Sequence, residues 1–510
     1  MKNRKLRLIM PVVSLLLAFL SCTNLDETPL SQVTPDNFYQ TETELVSAVI
    51  PVYNTLLSYS WGDYSQLQEV TSDEIFVPER GGDWGDGGTW RELHEHTWRA
   101  THPTVNGAWV SAYTGIARAN SVLENLERSP SQSPLKPVFT AEVRVLRAFY
   151  YWWLADLYGG VPIVTAAIID PKNPPQPGTR QQVFDFIVSE INAALPNLEA
   201  SFGGSNHGRV TRGAAQTLLA TVYLNAQVYA GVPKWNECVA ACEAVMNAGL
   251  YNLLDSYSEF FNLANDGPSN AESIWVVGHK PEDVVGFVRF MATLHYRQFH
   301  DQEPWNGFSV CADFYNKFDT SDVRYRHMLV GPQFILTGPN AGQPAFDRDG
   351  NRLNFTPDSP IFGAGEGNGV RILKWHIDPD RSGGNSGNDF AIFRYSHILL
   401  TKAEALNELQ GPNDESISLI NEVRARCFEP DEPIAPAAAW TKETLRNRIL
   451  DERGFEFLWE NFRRQDLIRT GRYLEAWTLK QASDGPHRQL YPIPQIQLDA
   501  NPNLRQNPGY

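Results

Sequence analysis

The stretch TRGAAQTLLATVYLNAQVYAGVPKWNECVAACEAVMNAG, residues 211–249, carries two helical periods separated by a break. Ala215, Leu218, Leu219, Val222 and Tyr223 recur at the three- and four-residue spacings that put side chains on one helix face. Gly231 and Pro233 interrupt the pattern, Cys238, Ala241, Cys242 and Val245 resume it, and Gly249 ends it. Two amphipathic helices joined by a short turn bury their apolar faces against each other, so the segment predicts an αα-hairpin.

A second unit of this design runs from Tyr395 to Arg426. Ile398, Leu399, Lys402, Ala403 and Leu406 form one face, Gly411 and Pro412 the turn, and Ile417, Ile420 and Val423 the return face. Small residues at the crossing points and a repeat of roughly 34 residues resemble tetratricopeptide (TPR) repeats. Thr104 to Leu126, Phe139 to Tyr158 and Gln181 to Leu198 read as further helices of the array. The expected fold is mainly α, with TPR-like hairpins mainly in 38–260 and 389–476. Between them, about 267–389 is rich in Gly, Pro, Asn and Asp, with short apolar runs at Ile274 to Val277 and Phe334 to Leu336. That composition predicts an irregular, loop-rich half with few short strands and a turn at Asp349-Gly350. Loops of that length in a compact protein usually carry function.

The block ILDERGFEFLWENFRRQDLIRTG, residues 449–471, is dense in charge. Asp451, Glu452, Glu456, Glu460 and Asp466 are balanced by Arg453, Arg463, Arg464, Arg469 and Arg472. Arg453 with Glu456, and Glu460 with Arg463 or Arg464, stand at spacings where helical side chains meet. Neighbouring arginines favour ionised carboxylates, whereas a glycosidase general acid needs a raised pKa, so the block predicts a structural ion network.

At the other end, Lys2, Arg4, Lys5 and Arg7 precede an uncharged run from Leu8 to Leu20, then Ser21 and Cys22. The run is shorter than the roughly 20 residues of a membrane-spanning helix, so 1–21 reads as a cleaved signal peptide and 22–510 as a single domain. A cysteine directly after a small residue resembles a bacterial lipobox and makes Cys22 the expected lipidation site, the membrane being held through this N-terminal lipid alone. With 43 Lys+Arg against 59 Asp+Glu, a net charge of -16 disfavours nucleic-acid binding and attraction to anionic lipid surfaces, and neither is expected as a partner. Cys238, Cys242, Cys311 and Cys427 show no CxxC or zinc-like spacing and are expected to be buried free thiols, without a disulfide framework.

Several of the 14 Trp, 19 Tyr and 26 Phe stand in polar, glycine-rich surroundings where no packed core is expected. In Arg80-Gly-Gly-Asp-Trp-Gly-Asp-Gly-Gly-Thr-Trp90, two indoles are set among glycines with Asp83 and Asp86. Tyr296, Trp305 and Phe308 form a second cluster in the loop-rich half. Aromatic faces suit stacking on the apolar face of a pyranose, and Asp and Arg suit its hydroxyls. Trp84, Trp90, Trp305, Tyr296, Phe308, Arg80, Asp83 and Asp86 are therefore the candidate substrate-binding residues. Three stacked aromatics at on the order of 1 kcal/mol each, with a few solvent-competing hydrogen bonds added, would give affinity near the millimolar range, suited to capture and hand-over.

Taken with the charged block and the N-terminal signal, three further segments complete a resemblance: Glu142-Val-Arg-Val-Leu-Arg-Ala-Phe-Tyr-Tyr-Trp-Trp-Leu-Ala-Asp-Leu-Tyr-Gly-Gly-Val-Pro162, Thr401-Lys-Ala-Glu-Ala-Leu-Asn407, and the ending Tyr491-Pro-Ile-Pro494 with Gln506-Asn-Pro-Gly-Tyr510. In this order they resemble the SusD/RagB family of surface lipoproteins in glycan-utilisation systems of Gram-negative bacteria. The resemblance implies four TPR-like units against an irregular half, lipid anchoring at the outer-membrane surface, and a SusC-like TonB-dependent transporter as partner. It also implies binding of oligosaccharides, or other nutrients, without turnover.

Other constellations point elsewhere less well. His94 and His96, with His102 nearby, would share one face of a strand, but no HExxH or acidic third ligand follows, and no metal is expected. Asp347, Asp349 and Asn351 suggest a calcium loop, yet glycine stands fourth and Asp358 twelfth, so a turn is expected. Gly363, Gly365, Gly367 and Gly369 lack a following GK[ST], and there is no GxSxG elbow, so neither a phosphate loop nor a hydrolase nucleophile is indicated and no cofactor is expected. The alternatives to a non-catalytic glycan-binding lipoprotein are a secreted glycoside hydrolase, which needs two carboxyls facing one cleft about 5 to 9.5 Å apart, and a TPR scaffold binding peptides in a helical groove.

Overall fold

The computed structural model describes residues 38–283 and 286–510. The signal segment and Cys22 lie outside the described residues. The long helices are α1 (Glu42–Asn54), α2 (Pro103–Arg128), α3 (Leu135–Leu157), α4 (Arg180–Ala194), α5 (Arg212–Leu224), α6 (Trp235–Met246), α7 (Tyr395–Gln410), α8 (Asp414–Ala425) and α9 (Lys442–Phe457). Their starts are written locally. Thr41 and Thr179 close capping boxes with Glu44 and Gln182, Thr211 and Asn413 accept from the N3 amides, and Pro103 opens α2.

The hairpin at 211–249 forms as expected: a short helix, Ala226–Ala230, follows α5, Gly231 turns at φ +73°, and α6 returns. The second hairpin is α7 with α8, turning at Gly411, φ +78°. Helix α3 lies between α2 and α4, α5 packs on α6, and α7 packs on α6, α8 and α9. Residues 149–155 of α3, Phe-Tyr-Tyr-Trp-Trp-Leu-Ala, are all fully buried and centre the core. No helix among the described residues is long and apolar enough to cross a membrane.

Although about 150 residues separate them in sequence, α6 and α7 are direct neighbours, so the loop-rich half is inserted between consecutive hairpins. Strands β1 (Ile75–Phe76), β2 (Ser273–Val277), β3 (Ser309–Val310), β4 (Met328–Leu329), β5 (Gly331–Pro332), β6 (Asn354–Phe355), β7 (Arg371–Ile372) and β8 (Phe390–Arg394) form only two-stranded sheets. Antiparallel β2 and β8 clamp the two ends of the insertion, Val277 opposite Phe390 and Ser273 opposite Arg394, just before α7 begins.

Candidate functional site

Pairing of β1 with β3, and a bridge from Val310 to Val370, draw segments 79–90, 295–310 and 365–370 together. Reciprocal backbone bonds of 2.9 Å between Arg80 and Asp83 close a tight turn over Gly81 and Gly82. Trp84 follows at φ +63°, a conformation a bulky residue rarely adopts. Such strain of about 1–3 kcal/mol persists where the surroundings over-determine it. Here the indole N–H donates to the Trp305 carbonyl at 2.7 Å, and the ring lies against Gly307.

Trp90 stands on a short helix, Thr89–His94, started by left-handed Gly88. Its indole N–H donates to Asp86 Oδ2 at 2.6 Å. The Trp84 and Trp90 ring centroids are 5.7 Å apart with planes inclined at 59°. Both meet Phe308 edge-on, at 5.7 and 5.4 Å. Phe308 is stacked on Trp459 at 5.9 Å and touches Trp61, which in turn contacts Trp305 at 6.1 Å.

A polar network adjoins this nest. Tyr296 donates to Asp83 Oδ2 at 2.6 Å, and Arg348 Nη2 donates to the same oxygen at 3.0 Å. The Arg348 guanidinium lies 4.2 Å from the centroid of the Tyr296 ring, while its Nε and backbone N–H both donate to Glu366. The Tyr296 hydrogen bond outweighs partial burial, and with Arg348 holds the Asp83 carboxyl below its ordinary range. Burial pushes His295, 2.9 Å from Glu366, down to about 4. A cleft of about 310 Å³ opens beside Tyr296, between Phe299, His300, Glu303 and Ile335.

All eight predicted residues therefore converge on one place. Trp84, Trp90, Trp305 and Tyr296 are half-buried with an open edge, and Asp83 and Asp86 reach solvent. Arg80 and Phe308 are buried: Arg80 donates to the Gly365 carbonyl at 2.7 Å and Ser309 Oγ at 2.9 Å, and burial lowers its pKa to about 10. These two brace the cluster from beneath rather than line its surface. Sequence reasoning missed Trp61, Trp459, Arg348 and Glu366, which come from distant segments with no shared spacing. The glycine run 363–369 was the one signal near Glu366, because it brackets a tight backbone passage.

The remaining motifs resolve as structure. His94 and His96 do not lie on a strand as expected, since left-handed Gly88 starts a helix there. Both rings are buried, His94 on the Thr478 carbonyl and His96 between Ser483 Oγ and the Thr71 carbonyl. Asp347 to Asn351 is a turn, both Asp347 oxygens accepting from Asn351. The charged block is an ion network, but with other partners than helical spacing predicted. Helix α9 ends at Phe457, and Trp459 and Asn461 at φ +63° and +70° break the helical register. Arg453 pairs with Asp466 at 2.7 Å, Arg463 with Asp73 at 2.6 Å, and Arg464 with Asp156 at 2.8 Å. Glu456 is held by Arg324, Arg394 and Arg426, and Glu460 by Arg394 and Lys374. Burial opposes ionisation of Glu456 and Glu460, but these cations overcome it and keep both pKa values low.

Residues 278–510 match the model of the SusD family, and residues 25–224 match the model described as starch-binding, associating with outer membrane. The chain belongs to the SusD/RagB family. Among SusD relatives, SusD-like protein P25 of Formosa agariphila is 25% identical over 99% of this chain and its own full length. Starch-binding protein SusD of Bacteroides thetaiotaomicron is 25% identical over 82% of this chain and 81% of its own. A SusD-like protein from Bacteroides fragilis superposes with a TM-score of 0.77 at 23% identity, over 95% of this chain and all of that one. Surface glycan-binding protein A from Bacteroides thetaiotaomicron, solved in complex with laminarihexaose, superposes with a TM-score of 0.73 at 21% identity, over 92% and 100% of the two chains. These SusD-like structures share the helix-rich fold with few short strands.

Proposed function

We propose that this SusD-family protein captures oligosaccharide or polysaccharide at the outer-membrane surface, without cleaving it, and passes it to a SusC-like TonB-dependent transporter. The observation that carries the reading is the pair of half-exposed indoles, Trp84 and Trp90, fixed by Trp305, Asp86 and Phe308 beside exposed carboxylates. Rings locked this way lose little freedom on stacking against a sugar, so weak contacts still yield capture. A relative named for binding starch, and a fold neighbour solved with laminarihexaose, support a glycan as the ligand. A non-catalytic role is supported by Asp83, which is held ionised by Tyr296 and Arg348 and is no general acid at neutral pH. Cys22 supplies the lipid anchor in this reading.

Affinity electrophoresis of the protein from Thr23 onward against a panel of polysaccharides tests it, alongside Trp84→Ala and Trp305→Ala and an assay for released reducing sugar. Retardation by a glycan, weakened by Trp84→Ala and without sugar release, is expected. Release of reducing sugar would overturn the non-catalytic reading.

A further inference from the structure

The turn at Asp347 to Asn351 does more than reverse the chain. It is closed by the Asp347 N–H donating to the Asn351 carbonyl at 2.9 Å and by the Asn351 N–H returning to Asp347 Oδ1 at 2.7 Å, with Gly350 at φ +85°. Its second residue, Arg348, is thereby aimed back across the site. One face of the guanidinium is laid on Tyr296, one edge is held by Glu366 and the next by Asp83, each from a different segment. Arg348 is nevertheless 47% exposed. Among the described residues, its Nη1, with two N–H groups, has no hydrogen-bond partner. A planar donor fixed on three sides and open on the fourth is preorganised to meet a ligand, because its side-chain entropy is already spent.

The charge around it decides what that ligand is. Two carboxylates already neutralise Arg348, the aromatic nest and its polar network set Arg80, Arg348 and Arg371 against Asp83, Asp86 and Glu366, and the adjoining cleft adds Asp301 and Glu303 against Arg297. The chain as a whole is strongly acidic. An incoming sulfate or uronate would gain no net attraction and would face Asp83 and Asp86, whereas a hydroxyl oxygen accepts from Nη1 without that penalty.

We propose that Arg348 is the polar anchor of the site and that it receives the hydroxyls of an uncharged pyranose, so that the protein selects neutral glycans over sulfated or uronate ones. The inference rests on the glycan-binding reading above and deepens it. Because Arg348 covers one face of Tyr296, this tyrosine acts by holding the arginine flat, and stacking on the sugar falls to the indoles.

The test is affinity electrophoresis in laminarin, amylopectin, xylan, dextran sulfate and polygalacturonate. It compares wild type with Trp84→Ala, Arg348→Ala, Arg348→Lys and Glu366→Gln, with near-ultraviolet circular dichroism as the check of folding. Wild type is expected to be retarded by a neutral glycan and by neither anionic one. Both Arg348 variants should weaken that retardation roughly 5- to 20-fold, as for loss of one or two hydrogen bonds. Lysine should not rescue, since it cannot keep the stacked, forked geometry. Glu366→Gln uncovers charge and should create retardation by dextran sulfate at low salt, a readout that does not depend on the Arg348 variants folding. Arg348→Ala binding like wild type while Trp84→Ala fails would overturn the inference alone, as would stronger wild-type retardation by either anionic glycan. No retardation of wild type by any of the five would overturn the glycan-binding reading together with the inference.

Discussion

A Cβ on Gly307 would stand 2.4 Å from the indole of Trp84, so the absence of a side chain at residue 307 is what lets the strained tryptophan lie against the 305–308 backbone. Gly307→Ala is expected to push the ring off its seat and break its bond to the Trp305 carbonyl. Overpacking of this kind costs about 1–3 kcal/mol. The variant should lose more glycan affinity than stability, read by affinity electrophoresis against a urea unfolding curve; unchanged affinity would show that the seat of Trp84 is immaterial to binding.

Acid should unfold the protein in two overlapping stages. Burial holds His94 and His327 near 4, below their ordinary 6.5. Burial also disfavours ionised Asp73 and Asp466, but Arg463 and Lys317 for the one and Arg453 and Arg469 for the other bring both down to about 2. In every case the folded pKa is depressed, so the folded state binds fewer protons and stability is lost as pH falls. The decline should begin between pH 6.5 and 4 through the histidines and steepen from about 4 to 2 through the carboxylates, as followed by denaturant melts across pH.

Glu69 carries the opposite sign. Burial, aided by Glu460, raises it to about 7 against the pull of Arg289, and its Oε2 is buried without a hydrogen-bond partner among the described residues. A raised folded pKa means that stability falls as pH rises from the ordinary 4.5 towards 7. Glu69→Gln removes that liability while its side-chain oxygen can still accept from the Asn461 N–H. Relative to wild type it should gain stability on going from pH 5 to pH 8, measured as the difference in midpoint of urea unfolding.

Burying Glu456 among three arginines makes it costly to break. Glu456→Ala removes the carboxylate that joins Arg324 to Arg394 and Arg426, leaving Glu452 on the one and Glu272 on the other two, and truncating one partner of a buried ion pair costs about 3–5 kcal/mol. Chemical denaturation should show a loss of that size with binding per folded molecule retained.

Cys238, Cys242, Cys311 and Cys427 are buried, and burial raises the thiols of Cys238, Cys311 and Cys427, the last to about 12. A thiol-reactive dye added to the native protein from Thr23 onward should label none of them, and after denaturation all four, counted by mass spectrometry.

Local patterns alone determined the helices, because a helix is written in contiguous residues: the periods of 211–249 and 395–426, their capping threonine and asparagine residues, and their glycine turns are all legible without neighbours. The order of motifs along the chain likewise sufficed for the family, and the tryptophans isolated among glycines pointed to Trp84 and Trp90 as rings outside the packed core. Tertiary structure alone decided which residues meet. Glu456 found arginines from three distant segments while Arg453, on the same helix, turned to Asp466, and Glu460 parted from Arg463 and Arg464 because the backbone turns left-handed at Trp459 and Asn461 and ends the helical register. Arg348 reaches Asp83 across 265 residues, and Arg80 and Phe308 sink beneath the rings they were expected to join. Long-range contact depends on the closure of loops onto a common core, and no residue spacing along the chain encodes it.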